Sequence, residues 1–242
     1  MTKSSHSLLT LLALLILTQI AITTSALAAR QQQGREEPPF DFYTRGPYRE
    51  SVPRPQSLLR FEVGDFHTNY SQMERVIEKI AQAAPDRVRI TDIGETNEHR
   101  MMHLLAISSP ENMQRLEQLR TNVARLADPR GTSTSEAQGL ISDAPVVVWL
   151  NYTIHGNESA SFETMMQVVY QLAASDEPAT LEILRNCIVL VNVCANPDGH
   201  ERFITWYNSF GIGSEDPAAS EHREPWSVYG RLNRYPLRPQ SR

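Results

Sequence analysis

The chain has 242 residues, 40% of them hydrophobic, and a formal charge of −5. That suffices for one domain of respectable core, or most of one. The acidic balance disfavours nucleic acid as a partner, and no basic cluster offers a membrane-surface patch.

At the start, Lys3 precedes an apolar run from Leu8 to Ile22 that is interrupted by Thr10, Thr18 and Gln19, and Ala26-Leu27-Ala28 supplies small residues at the cleavage-determining positions. This is the pattern of a secretory signal peptide over residues 1–28. A membrane span needs about twenty predominantly apolar residues, more than this run provides. The expectation is a secreted or periplasmic protein with no stable membrane anchor after cleavage, its charge then −6 because Lys3 leaves with the signal. Residues 29–65 read as an extended lead-in: Arg30 to Pro55 is rich in Gln, Arg, Glu and Pro and has no periodicity.

Organised structure is expected from about Thr68. Ser71 with Glu74 forms a capping box, and Met73, Val76, Ile77, Ile80 and Ala84 make one helical face that Pro85 ends. Two strands, Val88 to Ile93 and Met102 to Ser108, flank the polar turn Glu95 to Arg100 and read as a hairpin. Ser109-Pro110 opens a second helix whose buried face is Met113, Leu116, Leu119, Val123 and Leu126. Asp128 to Ala144 reads as loop with one helical turn near Glu136.

Val146 to Leu150 is five apolar residues in a row, expected to be a central strand buried on both faces. A loop carrying His155 and Glu158 follows, and then a helical pattern through Phe162, Met165, Met166, Val169, Leu172 and Ala173. An imidazole and a carboxylate are both zinc donors, and a catalytic zinc takes three protein ligands and an open position. The spacing alone is weak, and taken by itself a loop histidine and a glutamate favoured by a helix N-terminus is the simpler reading. A short helix, Ala179 to Arg185, then leads to another buried strand between Cys187 and Cys194. Seven steps along a strand separate the two cysteines by roughly 23 Å, whereas a disulfide needs about 7 Å, so they read as free buried thiols. Asn196-Pro197-Asp198-Gly199 closes that strand as a turn. The element order gives an α/β fold with a mixed parallel/antiparallel sheet flanked by helices.

With His155-Gly156-Asn157-Glu158 and Asn196-Pro197-Asp198-Gly199 each at the end of a strand, the chain resembles a zinc carboxypeptidase of the carboxypeptidase A-like metallopeptidase family. Weaker matches are Arg87 to Gly94, Ala124 to Gly131 and Gly230-Arg231, and together they cover about Phe66 to Tyr235. The resemblance implies hydrolysis of C-terminal peptide bonds by zinc-activated water, with peptide or protein C-termini as substrates. It implies that His155 and Glu158 are two of three zinc ligands, that Asn157 lies along the substrate groove where arginine is frequent, and that Arg231 polarises the scissile carbonyl.

The resemblance also implies an Asn-Arg pair for the substrate carboxylate, a later histidine ligand and a glutamate base. None is found, and Asn233-Arg234 comes too early to be that pair. The expected domain is therefore partial, over residues 66–235 and cut short, with an unmatched tail at 236–242. His200 and His222 are weak substitutes as ligands, and Glu163, Glu201 and Glu224 are not placed by any motif as a base. Open alternatives are an acylase of the same superfamily, a non-catalytic peptide-binding relative, or an inactive fragment.

Overall fold

The computed structural model describes residues 41–208. Residues 1–28, expected as a signal peptide, and His222, Glu224, Arg231 and the tail from 236 lie outside the described residues. The chain divides into two units at Thr44/Arg45. In the first, Phe42–Thr44 forms a 3-10 turn. In the second, helices α1 (Pro55–Leu59) and α2 (Tyr70–Ala83) precede strands β1 (Val88–Glu95) and β2 (Met101–Ile107). Helices α3 (Pro110–Gln114), α4 (Leu116–Ala127) and α5 (Thr134–Ser142) lead to β3 (Val146–Asn151). Then come α6 (Ser159–Ala174), α7 (Pro178–Asn186), β4 (Cys187–Asn192) and α8 (Pro197–Asn208).

The described strands form one sheet in the order β1-β2-β4-β3. β1 pairs antiparallel with β2, and the register shifts between Asp92 and Gly94, where Gly94 takes φ +129°, a conformation that favours glycine. β2 is antiparallel to β4, and β3 runs parallel to β4 with Val146 opposite Cys187 and Asn151 opposite Asn192. The mixed sheet with helices is the expected fold class.

The core follows from two periodicities. Met73, Val76, Ile77 and Ile80 on α2 and Phe162, Met165, Met166 and Val169 on α6 are fully buried, as the three- and four-residue spacing of each helix requires. Along β2, His103, Leu105 and Ile107 are buried, alternating with the half-buried Met102, Leu104 and Ala106. Cys194 is fully buried and neither cysteine is in a disulfide.

Five local expectations are corrected. First, the α2 cap is Asn69, not Ser71: its side chain accepts from Gln72 N–H while the Gln72 side chain accepts from Asn69 N–H. Second, the helix from Ser109 breaks at Arg115, and in its continuation Leu119 is buried as expected while Asn122 is buried in place of the exposed Val123. Third, the stretch expected as loop before Ala144 contains the nine-residue α5. Fourth, β3 is an edge strand among the described residues, with Val146, Val147 and Trp149 exposed; a run of valines is buried only if a neighbour covers it.

The fifth correction concerns the lead-in, which is not loose from Arg45 onward. Arg49 N–H donates to Ala174 O, Asp176 N–H donates to Pro47 O, and the Tyr48 ring stacks on Tyr170 while its hydroxyl donates to Gln171. This strap closes the C-terminal end of α6. Buried Arg87 seals the same end by donating to the carbonyls of Ala173 and Ser175 and pairing with Asp176 at 2.6 Å. A guanidinium suits that position because it can meet several helix-end acceptors at once.

Candidate functional site

Where β3 and β4 end side by side, Asn192 Nδ2 donates to Asn151 Oδ1 at 2.7 Å. The backbone pairing then continues past both strands. Tyr152 N–H donates to Asn192 O, Ala195 N–H to Tyr152 O and Asn196 N–H to Thr153 O. Thr153 is buried at φ +53°, a left-handed conformation that costs a β-branched residue energy. Two bonds hold it there: Ser161 Oγ accepts from its N–H, and its carbonyl accepts from Asn196. The strained residue turns the chain two positions before His155.

His155 and Glu158 follow on a tight turn closed by Glu158 N–H donating to His155 O at 3.1 Å. Both side chains are exposed, and neither makes a side-chain hydrogen bond or ion pair among the described residues. Glu158 is the N-cap residue of α6 and its side chain does not cap the helix. Asn157 between them is half-buried.

The loop is gripped from below by α8, the element that sequence reasoning missed. Pro197 starts that helix, and Asn196 caps it by accepting from Gly199 N–H at 3.0 Å, so the Asn-Pro-Asp-Gly motif opens a helix instead of ending as a turn. A Cβ on Gly156 would stand 2.1 Å from Gly199 C and 2.2 Å from His200 N. The two motifs therefore touch backbone to backbone, and only glycine permits that contact. Asp198 reaches the other way: Thr96 Oγ1 and Arg100 Nη1 donate to its Oδ1 at 2.7 and 2.6 Å, and Glu98 N–H donates to Oδ2. It ties the start of α8 to the β1–β2 turn.

The substitutes weighed from the sequence are committed elsewhere. His200 is fully buried, with Nδ1 at 3.1 Å from Gly156 O and Nε2 at 2.9 Å from Thr68 O, so neither ring nitrogen is open to a metal. Burial holds its pKa below the ordinary histidine value, against the pull of the two carbonyls. Glu163 accepts from Thr68 N–H and Oγ1, both at 2.7 Å, and Glu201 accepts from Tyr70 N–H, so each carboxylate anchors the start of α2. Burial pushes the Cys194 thiol up to about 12, so it stays protonated at neutral pH.

His155 and Glu158 fit zinc by donor type. They fall short in number: among the described residues no group of three or more His, Cys, Asp or Glu could hold a metal ion.

Residues 73–233 match the zinc carboxypeptidase family. The chain belongs to that family. The match spans both loop motifs and α8, and the family is zinc-dependent. No curated protein matches the chain. Among solved structures, bovine thrombin-activatable fibrinolysis inhibitor in complex with tick carboxypeptidase inhibitor is 15% identical, with a TM-score of 0.38 over 58% of this chain and 34% of that one. Carboxypeptidase A from Helicoverpa armigera is 15% identical, with a TM-score of 0.41 over 60% of this chain and 31% of that one. A putative carboxypeptidase from Burkholderia mallei is 17% identical, with a TM-score of 0.40 over 56% and 27%. The chain thus spans about a third of the length of these structures.

Proposed function

We propose that the chain is part of a secreted or periplasmic metallocarboxypeptidase that hydrolyses the C-terminal peptide bond of peptides or proteins. His155 and Glu158 are its contribution to the zinc site, and the third ligand and the general base come from outside the described residues. Asn157 lines the substrate groove, and Arg231 holds the scissile carbonyl and the negative charge that develops on it. A guanidinium serves there because it stays charged and presents several donors. Zinc, when bound, supplies Lewis-acid polarisation and an acidified water. The location rests on the leader-like first 28 residues; no described helix is long and apolar enough to cross a membrane.

The observation that carries this reading is the pair of exposed donors with no partner among the described residues, on a short loop whose backbone is pinned on both sides. A solvated histidine and a helix-start glutamate would need neither the strained Thr153 nor the glycine contact beneath them. Calorimetric titration of the whole chain with zinc tests it. Saturable 1:1 binding that His155→Ala and Glu158→Ala each weaken at least tenfold is the expected result. An absence of binding, or binding indifferent to both substitutions, would sink the proposal.

A further inference from the structure

We propose that His200 is the positioning residue of the loop that carries His155 and Glu158, acting through its Nδ1 contact with the carbonyl of Gly156. The metal-site consequence rests on the reading above; the loop-positioning claim does not.

Three observations converge on this ring. It has no solvent exposure, and its centroid lies 3.8 Å from that of Phe162 with the planes 21° apart. Phe162 sits on α6 four residues after Glu158, so the stack sets the ring against the helix that the loop enters. Nδ1 then meets Gly156 O at 3.1 Å, at the centre of the four-residue stretch from His155 to Glu158. The backbone of the same residue, His200, lies where a Cβ of Gly156 would be, so ring and main chain hold one glycine from two directions. No other described side chain bonds to the backbone of residues 155–158, while Thr153, just before them, has Ser161.

The second nitrogen makes the claim testable. Nε2 faces Thr68 O at 2.9 Å, and both carbonyls are acceptors only. A neutral imidazole has one N–H and satisfies one of them at a time; an imidazolium satisfies both. The ring could therefore hold the loop through Gly156 or merely tie α8 to the start of α2 through Thr68. The positioning role requires the first.

Asparagine and glutamine separate these contacts, because an asparagine amide places its N–H₂ near Nδ1 of histidine and a glutamine amide near Nε2. His200→Asn, His200→Gln and His200→Phe, the last keeping only the stack, are compared in the whole chain by amide hydrogen exchange. In His200→Asn the exchange of residues 155–158 should stay within about threefold of the parent. In His200→Gln and His200→Phe it should rise tenfold or more, while α2 and β4 remain protected as in the parent. Zinc affinity should follow the same order, falling roughly 10-fold in the latter two, as removal of a group that orients metal ligands does. Loop exchange that is unchanged in His200→Gln, or equally raised in Asn and Gln, overturns the positioning role whether or not zinc binds. Absence of zinc binding by the parent overturns only the metal-site reading. A variant that fails to fold shows as exchange raised throughout the chain, and the Asn and Gln pair then decides, since both keep an amide in place of the ring.

Discussion

The contact between the two motifs gives a test in which one chemical change should have opposite effects at two places. Gly156→Ala puts a methyl 2.1 Å from Gly199 C, 2.2 Å from His200 N and 2.5 Å from Gly199 O, all backbone atoms that cannot swing aside. Carbon contacts relax at about 3.5–4.0 Å, so loop and helix start must part by more than about 1 Å. Overpacking of this kind costs about 1–3 kcal/mol. The Gly156–His200 hydrogen bond stretches beyond reach at the same time, adding about 1 kcal/mol. The sum, about 2–4 kcal/mol, lowers the melting temperature by roughly 5–15 °C for a chain of this size. Gly139 is the control: it lies inside α5 with nothing within 4 Å of an added Cβ. There alanine should stabilise by about 0.5–1 kcal/mol, because glycine costs a helix that much. Thermal or urea unfolding of both variants reads the difference. If Gly156→Ala melts within about 1 °C of the parent, or if Gly139→Ala is the more damaging of the two, the backbone contact does not hold the site together as argued.

Three further expectations follow from other parts of the molecule. Asp198→Ala removes the acceptor shared by Thr96, Arg100 and Glu98 N–H and should cost about 1.5–3 kcal/mol, with hydrogen exchange accelerated most in the 95–100 turn and the first turn of α8; unchanged exchange there would contradict it. Acidification should destabilise the fold, because burial lowers the pKa values of both His67 and His200, and His200 adds repulsion at His67. The unfolded chain then binds more protons, so stability is complete above about pH 6.5 and is lost as pH falls from there toward the depressed folded values. Urea midpoints at pH 7.5 and 5.5 should fall in that order, and His67→Gln should flatten the slope; a midpoint that rises on acidification would refute the sign. Finally, Val146 is 63% exposed and Ile77 fully buried, so Val146→Thr should stay within about 0.5 kcal/mol of the parent and Ile77→Ala should cost about 2–5 kcal/mol. The exposed valines and Trp149 of β3 should also make the native chain bind a hydrophobic dye.

What could be read from the sequence was whatever a local period or a local steric rule decides. The faces of α2 and α6 followed from three- and four-residue spacing, the hairpin from two apolar runs around a polar turn, and the free cysteines from the length of a strand. The errors fall where distant residues decide. Asn69-x-x-Gln72 and Ser71-x-x-Glu74 are both plausible capping boxes, and the first forms where Glu163, His200 and Glu201 hold residues 68–70 in place. On α4 the expected face holds at Leu119 but passes to Asn122 in place of Val123, because steps of three and of four residues both return to one side of a helix. The burial of β3 depends on what lies beside it, which five apolar residues cannot specify.

The site divides in the same way. His155 and Glu158 could be found because a motif marks them. The residues that fix their loop could not, since His200 lies 44 positions from Gly156 and Asp198 about 100 from the turn it ties. A signal was nonetheless present: Gly156, in the middle of a short loop at the end of a strand, is what a close backbone approach there would need. This gives the Asn-Pro-Asp-Gly motif a physical task separate from catalysis. Asn196 starts the helix, Gly199 leaves room for the Asn196 side chain that caps it, and Asp198 braces the helix against the hairpin, so the position of His155 and Glu158 depends on a strand, a helix start and a turn that are far apart in the chain. A substitution at Asp198 should accordingly disturb the donor loop although it touches neither donor, and it should do so less than Gly156→Ala, which acts on the contact itself.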